Sequence, residues 1–125
     1  MIALSCIFLL LAAGCNAVMD TLLYHFDTSI FQRFDRQFCD PCISWYNKYV
    51  GGKVENGHIK WKIWRFSINK PDALTDLWHL SKFFMIAFIC AAIACLIPYP
   101  LFAFIILGTS WNVVFSLFYD KILKR

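Results

Sequence analysis

From Phe83 to Ile97 the chain carries no charged side chain, and with the turns that lead in from Asp76 it matches the about 20 residues that a helix needs to cross a bilayer. Two more apolar stretches, 2–26 and 101–119, flank it. A segment in hydrocarbon must satisfy its own backbone groups, so each stretch is expected to be a helix. The expectation is an all-α membrane protein with three transmembrane helices in one integral membrane domain, 1–125. The spans are placed at about 2–26, 77–97 and 101–119. An aromatic and basic interfacial loop, 27–75, joins the first two, and Pro98-Tyr99-Pro100 makes a tight hairpin between the last two. Composition agrees: 60% of residues are hydrophobic and 16% charged, against about 45–50% and about 25% in soluble domains.

Charge sets the orientation. Arg33, Arg36, Lys48, Lys53, Lys60, Lys62, Arg65 and Lys70 lie in the loop, and Lys121, Lys124 and Arg125 close the chain. The Pro hairpin has no basic residue. The positive-inside rule then puts loop 27–75 and the C-terminus in the cytoplasm and the N-terminus outside. The basic residues sit beside the spans and form no nucleic-acid motif, so no nucleic-acid partner is expected. The N-terminal run holds one competing signal. Leu11-Ala-Ala-Gly-Cys15 resembles a bacterial lipoprotein cleavage box, which would make Cys15 a lipidated N-terminus. No Lys or Arg precedes the run, and its apolar character continues through Leu23, both of which favour an uncleaved span.

Within the loop, Ser29 to Phe38 has the spacing of a short amphipathic helix, with Asp40-Pro41 as its stop. Asn56-Gly57 signals a tight turn. Ile59, Trp61 and Ile63 alternate with Lys60, Lys62 and Trp64, as in a strand. A small hairpin or irregular platform at headgroup level is expected, in contact with anionic membrane lipid. Cys39-Asp-Pro-Cys42 stands alone, without a second pair for zinc, and reads as two thiols. Ala87, Ala91 and Cys95, and Ala13 and Ala17, repeat at four and are expected to be packing faces.

Depth along the spans suggests where chemistry sits. Asp20, Lys82 and Asn112 each fall six or seven residues inside the cytoplasmic edge, roughly 9–10 Å deep. An Asp20–Lys82 ion pair with Asn112 bonded to it is expected there, because an unpaired charge in a span is costly. Nearer the edge are Tyr24, His25, Asp27, Asp76, His79, Tyr119 and Asp120. Asp76-x-x-His79 places two donors on one helical face. His25, Asp76 and His79 are ligand types for a divalent transition metal. The competing structural role for Asp76 is a helix N-cap.

Asp20-Thr-Leu-Leu-Tyr-His25-Phe, Asp40-Pro41, Ser44-Trp45-Tyr-Asn47-Lys48-Tyr49 and Asp76-Leu-Trp-His79 resemble a group of small integral membrane proteins of bacteria and their phages with no assigned activity. The resemblance spans roughly 16–85. It implies a shared fold and a shared site at Asp20, His25, Ser44, Trp45, Asn47, Lys48, Asp76 and His79. A Trp tends to precede the Asp-Pro in that group, where this chain has Cys39.

Three functions fit these residues. One is a buried polar site on the cytoplasmic side of a three-helix bundle acting on a lipid or amphiphile. As a metal-assisted hydrolase it would use His25, Asp76 and His79 for the metal and Asp20, Lys48 and Lys82 as catalytic groups. The second is an accessory or assembly subunit of a larger membrane complex, or a holin-like homo-oligomer, whose polar layer specifies helix packing. The third is a transport protomer with Asp20 and Lys82 lining a path between copies.

Overall fold

The computed structural model describes residues 1–118 and is mostly helical. Tyr119, Asp120 and the basic tail, to which the sequence reading gave roles, lie outside the described residues. Among the described residues there are five α-helices: α1 (Ile2–Tyr24), α2 (Arg36–Cys39), α3 (Pro41–Ser44), α4 (Leu77–Ala94) and α5 (Pro100–Ser116). Two strands, β1 (Lys60–Ile63) and β2 (Phe66–Asn69), lie between α3 and α4. α1 and α4 are long and apolar enough to cross a membrane, while α5 is shorter, at 17 residues. The chain divides into two compact units, Met1–Ala13 with Met85 onward, and Gly14–Phe84.

In the first unit the start of α1 runs antiparallel to the end of α4. Ser5 Oγ donates to the Ala92 carbonyl at 2.8 Å, and Phe8 stacks on Phe88 with centroids 6.1 Å apart. Ser5, Ala12, Cys90, Ala92, Ala94 and Cys95 are buried. Of the small residues expected to pack, Cys95, just past α4, is buried, Ala87 and Ala91 are half-buried, and those of α1 face elsewhere. Ala13 and Ala17 are exposed, and the inward stripe is Ser5, Phe8, Ala12, Cys15, Met19 and Leu22. The displacement has a simple cause. Spacings of three and four in alternation track one side of a 3.6-residue helix, whereas a strict spacing of four drifts off it.

The second unit begins with the end of α1 and closes with the start of α4. Leu22, Phe26 and Cys39 form its core, with Val18, Phe31, Phe38, Leu77 and Trp78 packed against them. The expected helix over 29–38 is instead two short pieces. Ser29 caps a 3-10 turn over Ile30–Arg33, and Asp35 caps α2. Each cap offers the local backbone a competing acceptor, so the segment breaks there. Asp40-Pro41 does not stop the chain's helical path but restarts it. Asp40 caps α3, accepting from the Cys42 N–H at 3.0 Å, and Pro41 occupies the first turn, where its missing donor costs nothing.

Gly51 and Gly52 both take positive φ, 64° and 71°, which glycine reaches without strain. They fold residues 50–57 into a compact loop, closed where Val50 N–H donates to the Gly57 carbonyl. Asn56-Gly57 therefore serves this loop. The strand expected at Ile59–Ile63 is present as β1, and its partner is the later segment β2, turned at Trp64-Arg65. Ile59 N–H donates to the Lys48 carbonyl and so ties the hairpin's base to α3's exit.

Candidate functional site

The polar residues of the second unit converge at the N-terminus of α4. A helix start leaves its first N–H groups without partners, and a buried start needs side chains to answer them. Asp76 does so. Its Oδ1 accepts the His79 N–H at 2.9 Å, and Oδ2 lies 2.7 Å from His79 Nδ1. Thr75 Oγ1 is 2.6 Å from the Asp72 carbonyl and 3.0 Å from Asp76 Oδ2, with one hydrogen to donate to either. The Asp76 side chain is 0% exposed and that of His79 is 19% exposed. A carboxylate only accepts, so Nδ1 carries the imidazole proton of the neutral ring and Nε2 presents a lone pair. Among the described residues no hydrogen bond is formed to Nε2.

Two indole rings hold this imidazole. Trp78 lies 5.0 Å from it and Trp45 6.4 Å from it, both edge-on, and the two indoles meet each other at 5.9 Å. Lys82 Nζ sits 5.1 Å over the Trp78 ring, a cation–π distance. Trp78 Nε1 is buried without a hydrogen-bond partner among the described residues.

The segment Trp45-Tyr-Asn47-Lys48 braces the helix start from the other side. Asn47 Nδ2 donates to the Thr75 carbonyl at 2.9 Å and to the Gln37 carbonyl at 2.6 Å, linking α2 to the lead-in of α4. Lys48 Nζ is 3.8 Å from Asp72 Oδ2 and 5.7 Å over the Tyr49 ring. Lys48 also lines a cleft of about 470 Å³ with Trp45, Tyr46 and Tyr49.

The sequence-derived residues divide accordingly. Asp76 and His79 meet, with Lys48 at Asp72 and Lys82 at Trp78. His25 follows the end of α1 and lines a separate cleft with Asp27, Arg36 and Asp40. It does not complete a three-donor metal group with Asp76 and His79, and no such group exists among the described residues. The physical reason is position: His25 lies just past the end of α1 among Phe26, Asp27, Arg36 and Asp40, whereas Asp76 and His79 sit at the start of α4. Asp20 is exposed and accepts from Asn16 Nδ2, one turn back, at 3.2 Å. No Asp20–Lys82 contact within ion-pair distance forms. Asn112 donates to its own helix at the Gly108 carbonyl, 2.8 Å away. Depth along a span sets height but not azimuth, so residues at one level need not face each other.

Gln37 and Trp78 are site residues that the sequence reading does not reach, and Thr75 is reached only as an alternative cap for the helix. Thr75-Asp76 before an apolar helix is a capping signal that points to Thr75, and the i,i+1 neighbour Trp78 follows from His79. Gln37 has no local signal. The two loop thiols are free, Cys39 buried and Cys42 exposed. Burial, and then the Asp35 charge, hold the Cys39 thiol above its usual range, which opposes thiolate chemistry there.

No protein-family model, curated protein or solved structure matches this chain. Trp45, Asn47, Lys48, Asp76 and His79 lie together around the start of α4, whereas Asp20 and His25 do not.

Proposed function

We propose that this is an integral membrane protein in which the Asp76–His79 pair, at the head of a span, acts as a proton acceptor toward an amphiphile at headgroup depth. The observation that carries the reading is the imidazole held at Nδ1 by a fully buried carboxylate, with Nε2 left to an incoming group. Such a pair orients a general base without a metal. His79 Nε2 would take a proton from water or a hydroxyl. Lys82 and Lys48 supply positive charge near the rings that hold it, which suits a phosphate-bearing lipid. The membrane placement rests on α1 and α4. Only 17% and 22% of their apolar windows are buried, so most of each apolar surface needs a non-aqueous solvent. α5 is the third span, with loop 27–75 and the C-terminus cytoplasmic.

The test is incubation of the reconstituted protein with a total bacterial lipid extract, reading new lipid products by mass spectrometry. Products made by the wild type, and lost in a folded His79→Gln variant, are the expected result. Equal product profiles for wild type, variant and empty vesicles would end the catalytic reading.

A second reading is favoured by one specific feature. α4 and α5 leave an apolar groove of about 510 Å³, lined by Cys90, Ile93, Leu107, Trp111 and Phe115 among others. An assembly subunit would fill it with a helix of a partner or a second copy. A Leu107→Trp substitution that dissociates a complex seen in mild detergent, while leaving the chain folded, would support this reading.

A further inference from the structure

The hairpin β1–β2 has the plainest unmet physical demand in the second unit. Its register pairs Lys60 with Asn69, Trp61 with Ile68, Lys62 with Ser67 and Ile63 with Phe66. Opposed residues share a face, and faces alternate along a strand. One face is therefore Trp61, Ile63, Phe66 and Ile68, wholly apolar, and the other is Lys60, Lys62, Ser67 and Asn69. Every residue of both strands is exposed. An isolated two-stranded hairpin is marginal in water, and one with a bare apolar face has further reason to be covered.

The tip adds a second observation. Trp64 is 90% exposed and sits at φ 55°, a left-handed conformation that bulky residues rarely adopt. Glycine or asparagine would turn the chain there without strain. Keeping an indole at that position makes sense where the ring itself is used. Arg65 packs its guanidinium 6.0 Å over that ring. Between Gly57 and Pro71 the basic residues are Lys60, Lys62, Arg65 and Lys70, and no acidic residue is present.

We infer that the hairpin is an anchor for the anionic leaflet of a bilayer. Trp61, Ile63, Trp64, Phe66 and Ile68 enter the interfacial layer, and Lys60, Lys62 and Arg65 bind lipid phosphates around them. The apolar face requires a partner, the uniform positive charge selects an anionic one, and a tryptophan at the tip suits the layer where one end of the ring is apolar and the other wet. The inference is independent of any chemistry at His79.

The test uses the full chain, one copy per nanodisc, in phosphatidylcholine with or without phosphatidylglycerol. The emission lost between wild type and Trp64→Phe isolates Trp64. In anionic discs that emission is expected to be blue-shifted, quenched by lipids brominated near the headgroup and shielded from aqueous acrylamide. Lys60→Glu/Lys62→Glu/Arg65→Glu should reverse all three. If that variant loses the hairpin, seen as fast amide exchange over 60–69, rising salt on the wild type should reverse them instead. Trp64 open to acrylamide in anionic discs would overturn the proposal. So would shielding that appears only with several copies per disc and is trapped by an Ile68→Cys disulfide, since the occupant would then be a second hairpin.

Discussion

The start of α4 and the β1–β2 hairpin are both built from tryptophans and lysines, yet they meet opposite fates. At the helix start, Trp45 and Trp78 close around His79, and Asp76 answers the imidazole and a backbone donor together. At the hairpin, Trp61 and Trp64 meet nothing comparable, and the strands are exposed throughout. The difference lies in what the chain supplies nearby. The helix start has a carboxylate, a threonine and an asparagine to satisfy its polar groups internally. The hairpin has cations and apolar groups with only Ser67 and Asn69 beside them and no carboxylate, so the chain supplies nothing comparable there. A region that answers its own polar groups defines a site, and one that cannot defines a contact surface.

That contrast can be broken most severely at Asp76. Asp76→Ala removes the cap and leaves the buried ring nitrogen unanswered, and should cost about 3 kcal/mol, read as a lower unfolding midpoint in detergent. Asp76→Asn keeps the shape and the cap acceptor but moves the imidazole proton to Nε2, visible in the ¹⁵N shifts of His79. An unchanged midpoint for Asp76→Ala would mean that the helix start is no more self-sufficient than the hairpin.

Asn47→Ala comes next, since it removes two backbone bridges between α2 and the lead-in to α4. About 2 kcal/mol is expected, with faster amide exchange over 72–79 and none over 60–69. Trp64→Gly should act in the other direction on the hairpin. It relieves the positive φ and should slow exchange over 60–69 by the equivalent of about 1 kcal/mol in detergent, while weakening the lipid contact. The smallest effect belongs to Cys39. Its thiol is held protonated above the usual range by burial, so it does not affect stability at neutral pH. As pH rises through the ordinary thiol range the unfolded chain ionises first and stability falls. Cys39→Ala should remove that alkaline loss, and Cys39 should alkylate more slowly than the exposed Cys42.

Much of the site was legible in the chain before any coordinates. Asp76-x-x-His79 at the head of an apolar run specifies a cap and an i,i+3 pair, because three residues bring a side chain nearly once around the helix. The long apolar helices α1 and α4 are likewise read from hydrophobicity, since local backbone bonding and apolar side chains decide them with little help from distant contacts. The strand at Lys60–Ile63 shows in its alternation for the same local reason.

What the sequence did not contain was azimuth and partner. Counting residues from the end of an apolar run fixes a position along a helix but not the direction of its side chain, since each residue turns the helix by about 100°. Asp20 bonds to Asn16, and Asn112 to Gly108, within their own helices. The split of 29–38 into two capped pieces, the choice of β2 as partner for β1, and the bridge from Gln37 through Asn47 to Thr75 depend on contacts distant in sequence or on competing caps. Periodicity and composition determined which segments are apolar, which are helical and which face is charged. Only the tertiary structure decided that His25 lines a different cleft, and that the Asp76 carboxylate meets the His79 ring and backbone donor of its own helix. A carboxylate's few acceptor positions are allotted by whichever donors packing brings first, and that allotment is a property of the folded chain.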